Sequence, residues 1–120
     1  MIAILVYRNK DGEIENGIYT NVSDYRESLN CITFTILHNA TTARSYTIRG
    51  ENLICFIPLD IKGNTYKAKK ADLYNKALLM SYGYSVADWS YGEIATISEF
   101  FEKYGRRYGL LTEFHENAII

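Results

Sequence analysis

Two adjacent arginines and a group of aromatic residues are the side chains of this chain best suited to recognise another molecule. Arg106 and Arg107 form the only adjacent arginine pair, and six of the eleven tyrosines fall between Tyr74 and Tyr108. A guanidinium group binds phosphate or carboxylate through parallel hydrogen bonds, and an aromatic ring stacks on a base or sugar. We therefore predict a ligand-binding surface made of Arg106, Arg107, Tyr82, Tyr84, Trp89, Tyr91, Tyr104 and Tyr108. The competing interpretation is structural: an arginine pairs with Glu102 or Glu113, and the tyrosines fill the core.

Catalysis and metal binding have little support in the sequence. The residues with metal-binding side chains are scattered over separate predicted elements: His38, His115, Cys31 and Cys55. No glycine-rich phosphate loop, nucleophile elbow or HExxH motif occurs. Acid-base catalysis is left to glutamates on the outer faces of helices, which are usually solvated: Glu93, Glu99, Glu102, Glu113 and Glu116. We expect a binding protein with no catalytic residue, metal or cofactor, and an enzyme using Glu and His is the weaker alternative.

Composition and charge exclude several classes of protein. The chain has 120 residues and 48% hydrophobic residues, which predicts a single folded domain over residues 1–120. The net charge of -1 lacks the basic surplus that binding to a long nucleic acid requires. No apolar stretch is long enough to cross a bilayer, and the apolar start lacks the features of a signal peptide. With two cysteines in apolar alternating runs, we expect thiols and a cytoplasmic protein.

Residues 1–58 are predicted to form an antiparallel sheet of four or five strands. The candidate strands are 2–7, 13–20, 31–37, 44–49 and 53–57, joined by short turns as a meander. Asn9–Gly12 supplies the first turn, and Asn16-Gly17 predicts a bulge or a second turn. After Asn21, a short helix over 22–29 or a loop is expected. Arg44 and Arg49 fall on opposite faces of their strand, so at most one is expected in any pocket.

Residues 66–117 are predicted to be helical, which makes the fold class α+β with two C-terminal helices. The first helix runs from Lys67 to about Tyr82 and ends at Gly83. Its apolar face is made of Ala71, Tyr74, Ala77, Leu78 and Ser81. Ser90 and Glu93 fit a capping box for the second helix. Its apolar stripe follows three-four spacing: Ile94, Ile97, Phe101, Tyr104, Tyr108 and Leu111. Gly105 and Gly109 predict a bend or a close approach, and Asn117 a stop.

This order of elements, with arginines late in the chain, resembles the phage-encoded anti-Thoeris proteins, which sequester cyclic ADP-ribose isomers. The resemblance covers the organisation of the whole chain. It implies an anti-defence protein that holds a nucleotide signal without degrading it, in pockets at a subunit interface of a homo-oligomer. It further implies that Arg106 and Arg107 bind the diphosphate and that Tyr82, Tyr84 or Trp89 binds the base. The position one turn beyond Arg106, Leu110, departs from the family's second arginine.

A different class of binding protein fits the same residues. A small inhibitor or immunity protein, similar in size to an anti-CRISPR protein or a toxin antagonist, uses exposed tyrosines as anchors against a host defence protein. The small size, the mild acidity and the lack of catalytic groups agree with both classes. The two differ in the expected effect of removing Arg106 and Arg107, which abolishes nucleotide capture but only weakens a broad protein interface.

Overall fold

The computed structural model describes residues 1–28, 30–37 and 41–120, with only the backbone of Asp24. Within these residues there are six strands and three helices: β1 (Ala3–Arg8), β2 (Ile14–Tyr19), β3 (Val22–Glu27), β4 (Cys31–Leu37), β5 (Ala43–Arg49), β6 (Leu53–Pro58), α1 (Tyr66–Val86), α2 (Tyr91–Tyr108) and α3 (Leu111–Glu116). The chain divides into two compact units, a β unit (Met1–Leu59) and a helical unit (Asp60–Ile120). The predicted α+β class is confirmed, with the antiparallel strands preceding the helices.

The β unit consists of two three-stranded antiparallel sheets with the orders β2-β1-β6 and β3-β4-β5. The predicted meander is therefore wrong in its pairing, because β6 returns to β1 instead of lying beside β5. The Asn9–Gly12 turn is confirmed: Gly12 has φ +78° and its amide donates to the Asn9 carbonyl at 3.0 Å. The Asn16-Gly17 pair forms no bulge, since β2 keeps its register with β1 there. The irregularity falls instead where β1 pairs with β6, between Val6 and Tyr7.

The two sheets share one apolar core. Alternate residues of both sheets are buried together: Ala3, Leu5, Val22, Ile32, Phe34, Ile36 and Ile48. Stacked ring pairs extend this core, with Tyr25 on Phe56 at 4.5 Å and Phe34 on Tyr46 at 5.3 Å between ring centroids. Alternation of apolar and polar residues along β4 thus places one face in the core, as period-two patterning predicts.

The predicted helix or loop after Asn21 is wrong, because the segment forms strand β3. Asn21 adopts φ +57°, a left-handed conformation that asparagine tolerates better than most residues, and so turns the chain between β2 and β3. β3 then pairs with β4, with Val22 opposite Ile36. Asparagine favours both helix caps and tight turns, so its presence alone did not distinguish the two outcomes. Leu29 and residues 38–40, which include His38, lie outside the described residues.

Helix α1 is longer than predicted, and its buried face differs. It begins at Tyr66, after Thr65 caps the Ala68 amide, and continues through Gly83 to Val86. The residues buried on it are Leu73, Lys76, Ala77, Met80 and Gly83. Of the predicted apolar face, only Ala77 is buried, while Tyr74 and Leu78 are exposed. The buried ammonium group of Lys76 is paired with Asp72 one turn earlier, which keeps the charge compensated.

The second predicted helix is divided into α2 and α3. Ser90 and Glu93 form the predicted capping box, and Gly109 ends α2 with φ +70°. Gly105 is the site of close approach, because a Cβ atom placed there would lie 2.9 Å from the buried ring of Phe114. Asn117 is the C-cap of α3, as predicted. Within the part of the chain described, no helix combines the length and apolar character needed to span a bilayer.

Candidate functional site

The predicted binding residues lie in the helical unit, where they separate into two groups. Tyr82 and Tyr84 lie on the last turns of α1, Trp89 in the connection, and Tyr91 at the start of α2. Tyr104, Arg106, Arg107 and Tyr108 lie on the last turns of α2. At a rise of about 1.5 Å per residue, Tyr91 and Arg106 are roughly 22 Å apart along the helix. These two cannot contact the same small ligand within one chain.

Tyr84 and Trp89 are held by the protein itself. Their rings meet edge to face with centroids 6.3 Å apart, and the indole nitrogen of Trp89 donates to the Gly83 carbonyl at 3.1 Å. The Tyr84 hydroxyl is buried without a hydrogen-bond partner among the described residues. Burial raises the pKa of Tyr84. The nearby Ser98 side chain lowers this pKa in part, although the two side chains do not meet the geometry of a hydrogen bond. By contrast, Tyr82 and Tyr91 are exposed.

The two arginines are exposed, and they differ in what they contact. Arg106 pairs with Glu102 at 3.3 Å, in agreement with the structural interpretation, whereas the guanidinium carbon of Arg107 lies 5.9 Å from the centroid of the Tyr104 ring. Tyr108 is buried and its ring contacts that of Tyr66 at 5.4 Å between centroids. The open depression of about 460 Å³ beside Arg106 is lined by Ala95, Ser98, Glu99, Glu102, Lys103 and Arg106. Its two carboxylates balance its two cations, so this depression has no surplus positive charge for an anionic ligand.

A larger cleft in the β unit combines cationic and aromatic side chains. It has a volume of about 660 Å³, and we call it the basic cleft; its lining residues are Tyr7, Arg8, Asn9, Lys10, Glu15, Arg44, Tyr46, Thr47, Ile48, Arg49 and Asn52. Four of these side chains are cationic and one is a carboxylate. Ligand sites in proteins typically have volumes of roughly 300 to 1,000 Å³. Both the size and the charge of the basic cleft suit a small anionic ligand.

Glu15, the carboxylate among the described lining residues, accepts hydrogen bonds from its neighbours. The Tyr7 hydroxyl donates to Oε2 of Glu15, and the Asn9 side-chain amide donates to Oε1 at 3.1 Å. These hydrogen bonds hold the pKa of Glu15 below its usual range, while burial, the bond to Glu15 and its charge raise the pKa of Tyr7. Asn9 is itself fixed, since its side-chain oxygen accepts from the amides of Asp11 and Glu13 at 2.9 and 3.0 Å.

Arg44 is positioned by a stack of rings that begins in the core. Buried Phe34 stacks on Tyr46 with an interplanar angle of 12°, and the guanidinium carbon of Arg44 lies 5.4 Å from the Tyr46 ring centroid. A guanidinium group stacked on a ring keeps its N–H edge available for hydrogen bonds. The Arg44 guanidinium is therefore able to donate hydrogen bonds to a phosphate or carboxylate group.

The prediction that at most one of Arg44 and Arg49 could serve a pocket is wrong, because both line the basic cleft. β5 is an edge strand, and a cleft at an exposed edge is accessible to side chains from both faces. Arg49 also lines a second depression of about 600 Å³, beside Cys31 on the neighbouring strand. The two arginines and the tyrosine of β5 can be read from the sequence, but the position of β5 at the edge of its sheet cannot.

Metal binding and similarity to other proteins give no further assignment. Among the residues that the structure describes, no group of three or more His, Cys, Asp and Glu side chains is placed to hold a metal ion. Cys31 and Cys55 are thiols, the first half-buried and the second buried. No protein-family model, no curated protein and no solved structure matches this chain, so its function is inferred from the site.

Proposed function

We propose that the protein binds a small phosphate-bearing ligand of the nucleotide type in the basic cleft, and that it holds this ligand without chemical change. The observation that carries the proposal is Arg44, stacked on Tyr46 beside three further cationic side chains. One of these, Arg49, also forms an exposed ion pair with Glu51 at 3.9 Å, whereas the Arg44 guanidinium lies over the Tyr46 ring. The positive charge is concentrated, because the chain as a whole has a net charge of -1. A phosphate group would receive charge-assisted hydrogen bonds, which are stronger than neutral ones.

The spread of the cations favours a ligand with more than one phosphate group. Arg44 and Arg49 are five residues apart on a strand, which separates their Cα atoms by roughly 17 Å. Arg8 and Lys10 come from the β1–β2 hairpin and line the same cleft. A single phosphate ion is too small to contact cations distributed over this distance, whereas a diphosphate or a cyclic dinucleotide reaches several of them.

Retention without turnover agrees with the chemistry of the lining. Among the described residues that line it, the basic cleft has no histidine and no cysteine, and the Glu15 carboxylate accepts two hydrogen bonds from the protein. A general base must be able to reach the substrate and take up a proton, which a carboxylate with a lowered pKa does poorly at neutral pH. Sequestration of a cyclic nucleotide signal, such as a cyclic ADP-ribose isomer, in the cytoplasm of a phage-infected cell is the biological form of this proposal.

Calorimetric titration tests the ligand class and the site together. We expect heat on adding ADP, cyclic ADP-ribose isomers or cyclic dinucleotides, and weaker binding of inorganic phosphate. Arg44→Ala should weaken the best ligand by roughly 10- to 100-fold, because one charge-assisted contact is lost. Arg106→Ala is the matched control, since that exposed arginine lies in the helical unit, and it should leave the affinity unchanged.

Three results would count against the proposal. Absence of heat and of any rise in melting temperature with every compound would exclude the ligand class. A loss of affinity in Arg106→Ala, with no loss in Arg44→Ala, would place the site at the predicted arginine pair. Recovery of a chemically altered ligand after incubation and denaturation of the protein would replace a binding protein with an enzyme.

A protein partner is the second candidate function, and the exposure of Tyr91 is the observation in its favour. This ring is 94% exposed at the first residue of α2, where the described residues leave a large aromatic side chain almost uncovered. Exposed tyrosines are frequent anchors of protein interfaces. Binding of a purified host defence protein that is lost in Tyr91→Ala and retained in Arg44→Ala would support this function over nucleotide capture.

A further inference from the structure

The outer face of α1 lacks the polar character that a surface helix normally has. The residues opposite its buried side include Tyr74, Leu78 and Tyr82, which are 43%, 54% and 55% exposed. From Ala77 to Val86 the helix contains no charged residue. Uncharged exposed patches with several large apolar side chains mark interaction surfaces. We define the α1 face as Ala71, Tyr74, Leu78, Tyr82 and Ser85.

The two ends of α1 differ in charge. Three lysines, Lys67, Lys69 and Lys70, lie near the N-terminus, where the helix dipole is already positive and no acidic residue is present in the first turn. The last turn, at the negative end of the dipole, has no basic residue. Between Ala77 and Glu102 the sequence contains no lysine or arginine. Lys67 and Lys70 lie one turn before Ala71 and Tyr74 of the α1 face, whereas Lys69 lies one turn before buried Leu73. At the α1 face the N-terminal end is therefore positive, and the C-terminal end, where the helix dipole is negative, lacks a cation.

We propose that the α1 face binds the α1 face of a second copy of this chain, with the two helices antiparallel about a two-fold axis near Leu78. In this arrangement the lysine-rich end of one helix lies against the C-terminal end of the other, and the uncharged residues meet between them. A two-fold interface requires a surface that is complementary to itself, and a helix with one positive end, one negative end and an apolar centre meets this requirement. An unrelated partner would have to supply both charges separately.

A narrow notch beside the α1 face agrees with close packing by a second chain. It has a volume of about 50 Å³ and is lined by Tyr74, Ala77, Leu78, Ser81, Glu113, Phe114, Asn117 and Ile119. The exposed Leu78 side chain thus lies next to a small recess in the same surface. Side chains of one helix that enter recesses on the facing helix are the usual basis of helix pairing.

The apolar stripe of α2 is a weaker candidate for a contact between chains, because Ile97, Phe101 and Tyr108 are already buried within the single chain. Phe101 contacts the ring of Phe114 with centroids 5.6 Å apart. Of the stripe residues on α2, Ile94 is the exposed one, so we place the contact on α1.

The oligomeric state of point variants tests the proposed contact. Light scattering coupled to size-exclusion chromatography should give twice the chain mass of 13.8 kDa for the wild type at high concentration. Leu78→Lys and Tyr82→Lys should each give the mass of one chain, with helicity retained. Tyr91→Lys is the matched control, because it places the same charge at an exposed aromatic position outside α1, and it should remain dimeric.

Cross-linking tests the antiparallel orientation. In a Cys31→Ser background, Ala71→Cys and Ser85→Cys are treated with a short bismaleimide, separately and as a mixture of two differently tagged chains. In the proposed arrangement Ala71 lies opposite Ser85 of the second copy, whereas two copies of Ala71 are roughly 21 Å apart along the axis. Only the mixture should therefore give a cross-linked dimer, and each cross-linked dimer should contain one chain with each tag.

The proposal is overturned by a wild type that keeps the mass of one chain at every concentration. It is also overturned by a dimer that persists in Leu78→Lys, because the contact then lies elsewhere. A mixture that does not cross-link, or single variants that do, contradicts the antiparallel two-fold arrangement.

Discussion

At the scale of single residues, the functional side chains are distinguished by what holds them and not by their type. Arg44 and Arg106 are both exposed arginines, but Arg44 rests on a ring stacked over the core, whereas Arg106 pairs with a neighbouring glutamate. An exposed ion pair one turn apart on a helix contributes only about 0.3 to 0.5 kcal/mol. It also reduces the positive charge that a ligand would experience.

Tyr84 offers a test of how a buried polar group is tolerated. Its hydroxyl has no hydrogen-bond partner in the described part of the chain, and an unsatisfied buried hydroxyl lowers stability. Replacing it with phenylalanine keeps the ring and removes that group. We expect Tyr84→Phe to raise the free energy of unfolding by about 1 kcal/mol, measured by urea denaturation.

Tyr91→Phe serves as the control for this substitution, because its ring is exposed and its hydroxyl is in water. It should leave the free energy of unfolding unchanged. A loss of stability in Tyr84→Phe would mean that the hydroxyl forms a hydrogen bond, with Ser98 as its nearest candidate.

At the scale of elements, glycine determines how the second predicted helix is divided. Gly109 adopts a left-handed conformation that ends α2, and Gly105 leaves space for the Phe114 ring of α3. The two glycines therefore have different roles despite their regular spacing. One is required for its backbone conformation and the other for its lack of a side chain.

Gly105→Ala should lower the free energy of unfolding by about 1 to 2 kcal/mol. The added methyl group would meet the buried Phe114 ring at 2.9 Å, and overpacking of this kind costs more than the gain in helix propensity. Gly92→Ala is the matched control, since a Cβ atom at that position meets no atom within 4 Å. Thermal and urea unfolding should show Gly92→Ala equal to or above the wild type. Equal stability of both variants would contradict the close packing of α3 on Gly105.

The β unit shows how element position alters the meaning of a residue pattern. Arg44 and Arg49 are five residues apart on β5 and so belong to opposite faces of the strand, but β5 lies at the edge of its sheet, where both residues line one cleft. On a central strand the same spacing would have separated them. The sheet order depends on long-range pairing, which local periodicity does not specify.

At the scale of the whole molecule, ionisable groups whose pKa values change on folding determine how stability depends on pH. Glu15 has a lowered pKa in the folded state, because Tyr7 and Asn9 donate to it. Its stabilising contribution is therefore present above its unfolded pKa, about 4.3, and is lost as the pH falls through the lower folded value. Burial raises the pKa of Tyr7, Tyr25, Tyr84 and Cys55.

For the groups with raised pKa values, stability is complete below the unfolded pKa, which is about 8.5 for cysteine and about 10 for tyrosine. It decreases as the pH rises toward the folded values. We expect the free energy of unfolding, measured by urea denaturation, to form a plateau near neutral pH and to fall on both sides. Glu15→Gln should reduce the acid dependence, and it should also reduce part of the alkaline dependence, because the Glu15 charge and hydrogen bond help to raise the pKa of Tyr7. An unchanged acid limb would show that the Tyr7 and Asn9 bonds do not form in solution.

The two proposed surfaces lie in different units of the chain. The basic cleft belongs to the β unit, and the α1 face belongs to the helical unit. The boundary between the units, after Leu59, falls where the composition changes from strand-forming to helix-forming residues. Ligand affinity and oligomeric state are consequently measured with separate variants, Arg44→Ala and Leu78→Lys.

The sequence by itself determined the α+β class, the alternation of β4, the Asn9–Gly12 turn and the capping box of α2. Each of these depends on residues close together in the chain, through side-chain periodicity, backbone conformation or a local hydrogen bond. Tertiary structure decided that β6 pairs with β1, that Asn21 turns the chain instead of capping a helix, and that α1 buries Leu73 and Met80 instead of Tyr74 and Leu78. It also decided which arginines meet at one cleft. These outcomes depend on contacts between residues distant in sequence, whose free energies exceed the small local preferences that a pattern records.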